Sequence, residues 1–296
     1  MDRRYIELER RPELNRPVLI AGFTGWNDAA EAASLAVDTL REEWGAERFG
    51  AFVGEEFFDY QSVRPQIKLI EGVTRTVEWP ENALYATSGG VEALGGRDAI
   101  LIVGPEPNFR WRSFCQGVVD LAQEFDASLV VTMGALLADV PHSRPVAVAA
   151  NAQDPALIEN LQLSASRYEG PTGITGVLHR YVAEGGLSAV SFWASVPHYL
   201  PSVPSAPAAL ELLQTLQTLV GGNATLDTSQ LERTSEDYQR QVAAAVSQDS
   251  DLTSYVQMLE ERYDAQTEGD PKDLPSGDDL ASELEQFLRE KGDEEQ

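Results

Sequence analysis

Two periods of apolar residues run through the first 220 positions of the chain. Arg16-Pro17 leads into the unbroken apolar run Val18–Phe23, which predicts a strand buried on both faces. A turn follows. Ala33, Val37, Leu40 and Trp44, spaced by three and four, then predict a helix from Asp28 to Trp44, stopped by Gly45. Asp28 and Glu31, three apart, read as an acidic box at its N-terminus. Further strands are predicted at Arg48–Val53, Ala83–Thr87, Ala99–Gly104, Ser128–Met133, Pro145–Ala150 and Ser188–Val196. Helices are predicted at Ser113–Phe125, Leu157–Leu163, Gly176–Glu184 and Ala206–Val220. Ile67–Ile70 and Val73–Val77, separated by Glu71-Gly72, alternate as a hairpin. Strands alternating with helices imply an α/β fold with a mainly parallel sheet covered on both faces, and the hairpin is expected to make that sheet mixed.

After Gly221-Gly222 the pattern changes. Three narrow apolar stripes with charged backs follow: residues 228–247 (Leu231, Tyr238, Val242, Val246), 251–264 (Leu252, Tyr255, Val256, Leu259, Tyr263) and 277–290 (Leu280, Leu284, Phe287, Leu288). Thr267–Pro275 reads as a linker between the second and third. The expected division is an α/β core domain over residues 1–222 and an acidic helical C-terminal extension over 223–296. Such helices are not stable alone in water, so they are expected to lie on the core, on a sister subunit or on another protein.

Charge sharpens this picture. The formal net charge is −26, and residues 227–296 hold 20 acidic against 6 basic residues. A field of that sign repels nucleic acid and anionic membrane, so neither is expected as a partner. The start, Met1-Asp2-Arg3-Arg4, is charged without an apolar segment, and no apolar run approaches a membrane span. A cytoplasmic location is expected. The single cysteine, Cys115, permits no intrachain disulfide and reads as a buried apolar residue.

Candidate chemistry gathers in five loops: Gly22–Asp28, Gly104–Trp111, Gly134–Arg144, Tyr168–Gly176 and Val196–Pro201. In an open α/β sheet, ligands sit at the carboxyl ends of the strands. The candidate catalytic residues are Glu106, Asp139, His142 and Glu169. Glu106 or Glu169 would serve as base, with Asp139 orienting His142. The candidate ligand-binding residues are Asn27, Asp28, Arg110, Arg144, Gly173 and Thr175, the last two because a glycine-rich turn before a helix can cradle an anion. The competing structural reading pairs Glu106 with Arg110 as a loop brace, and lets His142 fix the turn after Pro141. His179 and His198 complete the histidines. No dinucleotide, phosphate-loop, nucleophile-elbow or zinc motif occurs, so no cofactor and no metal are expected. Trp26, Trp111, Trp193 and Tyr199 lie in or near these loops and are expected to be exposed and to favour self-association, unless they pack the loops onto the sheet.

At these loops the sequence resembles the actinobacterial form of the proteasome assembly chaperone 2 family. The matching stretches are Gly22–Asp28, Gly104–Trp111, Gly134–Pro145, Tyr168–His179 and Ser191–Pro201, within a likeness over residues 17–220. The resemblance implies a three-layer αβα fold related to purine nucleoside phosphorylases and peptidyl hydrolases, and a trimer, as the size of the homo-oligomer expected from the aromatic residues, is a guess from that kinship alone. Eukaryotic members are chaperones of proteasome outer-ring assembly and end in a hydrophobic–tyrosine–any-residue tail. This chain ends Gly292-Asp293-Glu294-Glu295-Gln296, without that signature. Two functions are therefore carried forward. The favoured one is a chaperone-like protein acting through protein–protein contact. The alternative is a small-molecule hydrolase or nucleoside-phosphorylase-like enzyme that uses the polar rim.

Overall fold

In the computed structural model the run Val18–Thr24 forms the central strand β2 of a nine-stranded sheet. The structure describes residues 5–70, 74–152, 158–159, 164–165, 168–221 and 226–268. The strands are β1 (Ile6–Leu8), β2, β3 (Glu47–Phe52), β4 (Gln66–Ile70), β5 (Thr74–Glu78), β6 (Asn82–Val91), β7 (Arg97–Pro105), β8 (Leu129–Ala138), β9 (Val148–Ala152), β10 (Ser164–Ala165) and β11 (Ala189–Pro197). The large sheet runs β1-β3-β6-β7-β2-β8-β11-β9-β10. Its middle four strands, β7, β2, β8 and β11, are mutually parallel.

The helices are α1 (Ala32–Glu43), α2 (Trp111–Glu124), α3 (Ile174–Glu184), α4 (Ala206–Val220), α5 (Ser229–Val246) and α6 (Ser250–Glu268). Alternation along β2 feeds both layers. Val18 and Ile20 pack with Val37 and Leu40 of α1 and Leu212 and Leu216 of α4. Leu19, Ala21 and Phe23 pack with Phe114 and Val118 of α2 and Leu178 and Val182 of α3. A strand whose successive side chains each meet a helical layer is apolar throughout, which is why the run carries no polar alternation. The result is a three-layer αβα sandwich with a mixed, mainly parallel sheet.

The hairpin β4–β5 is not what makes the sheet mixed. Its strands pair only with each other, in a two-stranded sheet of their own. The antiparallel pairings of the large sheet are those of β1 with β3, β3 with β6, β6 with β7, and β9 with β11. The acidic box also differs from expectation. Ala30 and Glu31 both take left-handed φ values, 50° and 54°. Asp28 therefore caps α1 across a kink, accepting from the amides of Ala33 at 2.7 Å and Ser34 at 3.2 Å, and Glu31 forms no box with it.

Two extension helices lie against the core. Leu231 of α5 joins the α1–α4 cluster. Tyr238, Val242 and Val246 of α5 and Val256 of α6 form a cluster with Tyr199 and Leu200, which follow β11. The helix expected at 277–290 lies outside the described residues. Of that expected at Leu157–Leu163, only Ile158 and Glu159 are described, and both are helical.

Candidate functional site

Strand order decides which loops can meet. The loops after β7 and β2 are neighbours at one part of the carboxyl edge, and those after β8 and β11 at the next. The polar rim accordingly forms two clusters.

In the first, the N-terminus of α3 is seated between the other two loops. Glu106 Oε1 accepts from the amide of Ile174 at 2.7 Å, and Asn27 Oδ1 from that of Thr175 at 3.3 Å. Asn27 and Thr175 are buried, at 3% and 0% exposure. The turn works because residue 173 is glycine. A Cβ there would overlap Asn27 Oδ1 and stand 2.6 Å from Glu106 Oε1. The amides that could cradle an external anion are thus met by the carboxylate of Glu106 and the amide oxygen of Asn27. Asp28 is buried beside them, and its second oxygen takes the hydroxyl of Ser34 at 2.5 Å. Burial pushes its carboxyl above the usual range, against the pull of those hydrogen bonds.

The expected Glu106–Arg110 brace does not form. Arg110 sits at φ 53°, turned toward the β1–β3 side, where Nη1 lies 3.1 Å from Glu56 Oε2 and donates to Tyr5 Oη at 3.3 Å. Glu169 is exposed on its loop.

In the second cluster α6 roofs the loops after β8 and β11. Arg144 makes a bidentate pair with Asp264, Nε to Oδ1 and Nη2 to Oδ2 both at 2.7 Å, and reaches Glu260 at 3.4 Å. Ser143 donates to Glu260, and Tyr263 Oη to the Pro145 carbonyl at 3.2 Å. The guanidinium of Arg144 holds Asp264 below the usual carboxylate range. Asp139 does not orient His142. It meets His198 Nδ1 at 2.9 Å, and Tyr255 Oη donates to it at 3.4 Å. His142 is held by Tyr199 instead. Its backbone amide donates to Tyr199 Oη at 2.9 Å, and its Nδ1 lies 2.9 Å from the same oxygen. The Nδ1 contact serves either tautomer, since a phenol oxygen that accepts from the amide can still donate to a bare Nδ1 or accept from Nδ1–H. Burial lowers the His142 pKa and so favours the neutral ring. Burial also pushes the phenols of Tyr199 and Tyr255 up to about 12.

Little room remains between these groups. A hollow lined by His142, Arg144, Ser205 and Tyr238 encloses about 10 Å³, roughly the space of one water. A larger hollow, about 460 Å³, opens at the opposite edge of the sheet beside Asn15, Arg16, Arg97 and Ser128, away from every rim candidate. Among the described residues no group of three or more His, Cys, Asp or Glu could hold a metal ion. No described helix is long and apolar enough to cross a membrane. Of the four aromatic residues expected to be exposed, only Trp26 is, at 64%. Trp111 donates to the Pro107 carbonyl, Tyr199 is half-buried under α5 and α6, and the Trp193 ring lies over Gly134. Phe109 and Tyr168, at 50% and 49%, are exposed apolar groups of the same loops. Tyr255, Glu260 and Asp264 were absent from the expected rim: Tyr255 was read as part of the apolar stripe of 251–264, and Glu260 and Asp264 as part of its charged back.

Comparison with known proteins follows this architecture closely. The chain is 41% identical to a PAC2 family protein of Streptomyces avermitilis, covering 81% of this chain and 99% of that one, with a TM-score of 0.73. It is 38% identical to a proteasome-assembly chaperone homologue of Mycobacterium tuberculosis, over 81% and 99% of the two chains, with a TM-score of 0.72. A second Mycobacterium tuberculosis protein, of unknown function, is 28% identical over 89% and 90%, with a TM-score of 0.79. No curated protein matches the chain. The sequence profile of the PAC2 family matches residues 22–246, from the end of β2 through α5, and the chain belongs to the PAC2 family.

Proposed function

We propose that this chain acts as a chaperone-like assembly factor through protein–protein contact, as a cytoplasmic homo-oligomer. In this reading residues 1–222 are a rigid platform and residues 223–296 an extension that contacts partners. The name of the 38% identical Mycobacterium tuberculosis relative, a proteasome-assembly chaperone homologue, supplies the partner class: subunits of a proteasome ring. One observation carries the reading. The rim groups that would perform acid–base or anion chemistry are occupied by the protein itself, Glu106 and Asn27 by the start of α3 and Arg144 by Asp264, while Trp26, Phe109 and Tyr168 stay exposed. A catalytic site needs a cavity with convergent unpaired polar groups, whereas an interaction surface needs exposed aromatic area on a rigid frame.

The test is native mass spectrometry of the full chain mixed with proteasome outer-ring subunits of the same organism. Defined complexes are expected, and Trp26→Ala with Phe109→Ala should weaken them by about tenfold or more. Absence of any complex, together with turnover of nucleoside or ester substrates that Glu106→Gln abolishes, would establish the enzymatic alternative.

A further inference from the structure

Ile67, Leu69, Ile70 and Val77 of the hairpin β4–β5 are exposed large hydrophobic side chains, and the composition of the hairpin defines what it would accept. In its register Ile67 faces Val77, and Leu69 faces Arg75. Period two places Ile67, Leu69, Arg75 and Val77 on one face, and Gln66, Lys68, Thr76 and Glu78 on the other. Ile67, Leu69 and Val77 are 63%, 60% and 50% exposed. Just past the strand, Trp79 is 56% exposed, its ring 4.8 Å from that of Tyr60. A two-stranded hairpin with an uncovered apolar face is marginal in water, and a contiguous apolar patch of this kind marks a docking site.

Charge narrows the occupant. Lys68, on the polar face, pairs with Glu78 at 2.7 Å. Arg75 on the apolar face and Arg64 at its base have no carboxylate partner among the described residues. In a chain of net charge −26, this spot attracts an acidic amphipathic element. A second copy of the hairpin would bring arginine against arginine, which repels. The segment 277–290 has the complementary chemistry. Leu280, Leu284, Phe287 and Leu288 recur at helical spacing, flanked by Asp278, Asp279, Glu283, Glu285 and Glu290 against the single basic residue Arg289.

Reach also fits. β6 begins at Asn82, and its Ala83 pairs with Val103 near the carboxyl end of β7, so the hairpin rises from the same edge as the loops after β2, β7, β8 and β11. The last helix, α6, is fastened at that edge by Asp264 to Arg144, in the loop after β8. From β8 to β6 is three strand steps, about 14 Å. Residues 269–276 can span up to about 27 Å.

We propose that the apolar face of the β4–β5 hairpin is the docking site of the acidic segment 277–290 of the same chain.

Hydrogen exchange on the full chain tests it, read at 66–70, 74–79 and 277–290. Leu284→Asp with Leu288→Asp should speed exchange of the hairpin by about tenfold or more, and Ile67→Asp should do the same to 277–290. Arg75→Glu should produce a smaller change in both. The effects should be independent of protein concentration, because the contact is intramolecular. Unchanged exchange in β2 checks that the core is intact in each variant. If Ile67→Asp leaves 277–290 unaffected, or if the coupling appears only as concentration rises and so reports a second copy, the proposal fails.

Discussion

Glu106 Oε1 stands 2.7 Å from the backbone nitrogen of Ile174, 68 residues away, so that a side chain from the end of β7 closes the N-terminus of α3. This contact ties the α2–α3 layer to the carboxyl edge of the sheet. It also distinguishes a structural carboxylate from a catalytic one. Glu106→Ala removes the acceptor and should cost about 1–2 kcal/mol of stability, as for loss of a helix cap. Glu106→Gln keeps an acceptor and loses only the charge–dipole part, about 0.3–1 kcal/mol. Urea unfolding monitored by circular dichroism ranks the two. If the two substitutions prove equally costly, or both neutral, the capping role is wrong.

Gly173→Ala should be worse than either. Its backbone, at φ −97°, suits any residue, so the cost is purely steric: a methyl group driven into Asn27 Oδ1 and Glu106 Oε1. Separation of the α3 start from the rim, or a strained close contact, should cost about 1–3 kcal/mol. The measurement is the urea midpoint. A midpoint within error of the parent would show that the turn has room the geometry denies.

The strands and helices of the core could be read because each buried run is long and keeps one period. β2 and β7 were recognisable as strands from unbroken apolar runs, β11 from an apolar run interrupted by Ser191 and Ser195, and α4 from its stripe and the closing glycine Gly221, which takes φ 64°. What could not be read was contact across the chain. Glu106 sits four residues from Arg110, and proximity in sequence suggested a pair. The αL turn at Arg110 sends the two side chains apart, to Ile174 and Glu56. Asp139 and His142 mislead in the same way, since the register of β8 beside β11 brings His198 to the aspartate. The hairpin was legible as a hairpin. Its exclusion from the sheet was not, because edge pairing is a tertiary choice that alternation does not encode.

Arg144 and Asp264 should be coupled. The pair is bidentate but lies at the surface, so a double-mutant cycle with Arg144→Ala and Asp264→Ala should give a small favourable coupling that falls with added salt. The informative readout is local. Either single substitution should raise exchange in α6 while leaving that of β2 unchanged, because the pair fastens α6 alone. Uniform loss of protection across the chain would mean that α6 unfolds with the core rather than before it.

Acid should loosen α6 in two stages whose signs follow from the two shifted groups at its contact. His142 is held neutral by burial, with its folded pKa below the ordinary 6.5. The unfolded chain therefore binds the proton more readily, and stability is full above pH 6.5 and falls as pH drops through the folded value. Glu260, in the roof, faces His142 and partly offsets this by favouring the charged ring. Asp264 has a folded pKa below 3.8, set by Arg144, so its contribution is present above that value and is lost as pH falls through the folded one. Asp28 acts the other way. Its raised pKa means that protonation favours the folded state, but it lies under α1, away from α6. Melts between about pH 7 and pH 5 should therefore show declining stability, and His142→Gln should reduce that decline, leaving the share of His179, which burial also lowers, without changing the step below pH 3.8. Arg144→Gln should do the reverse. A decline that persists unchanged in His142→Gln would assign the first stage to another group and remove the histidine from the hold on α6.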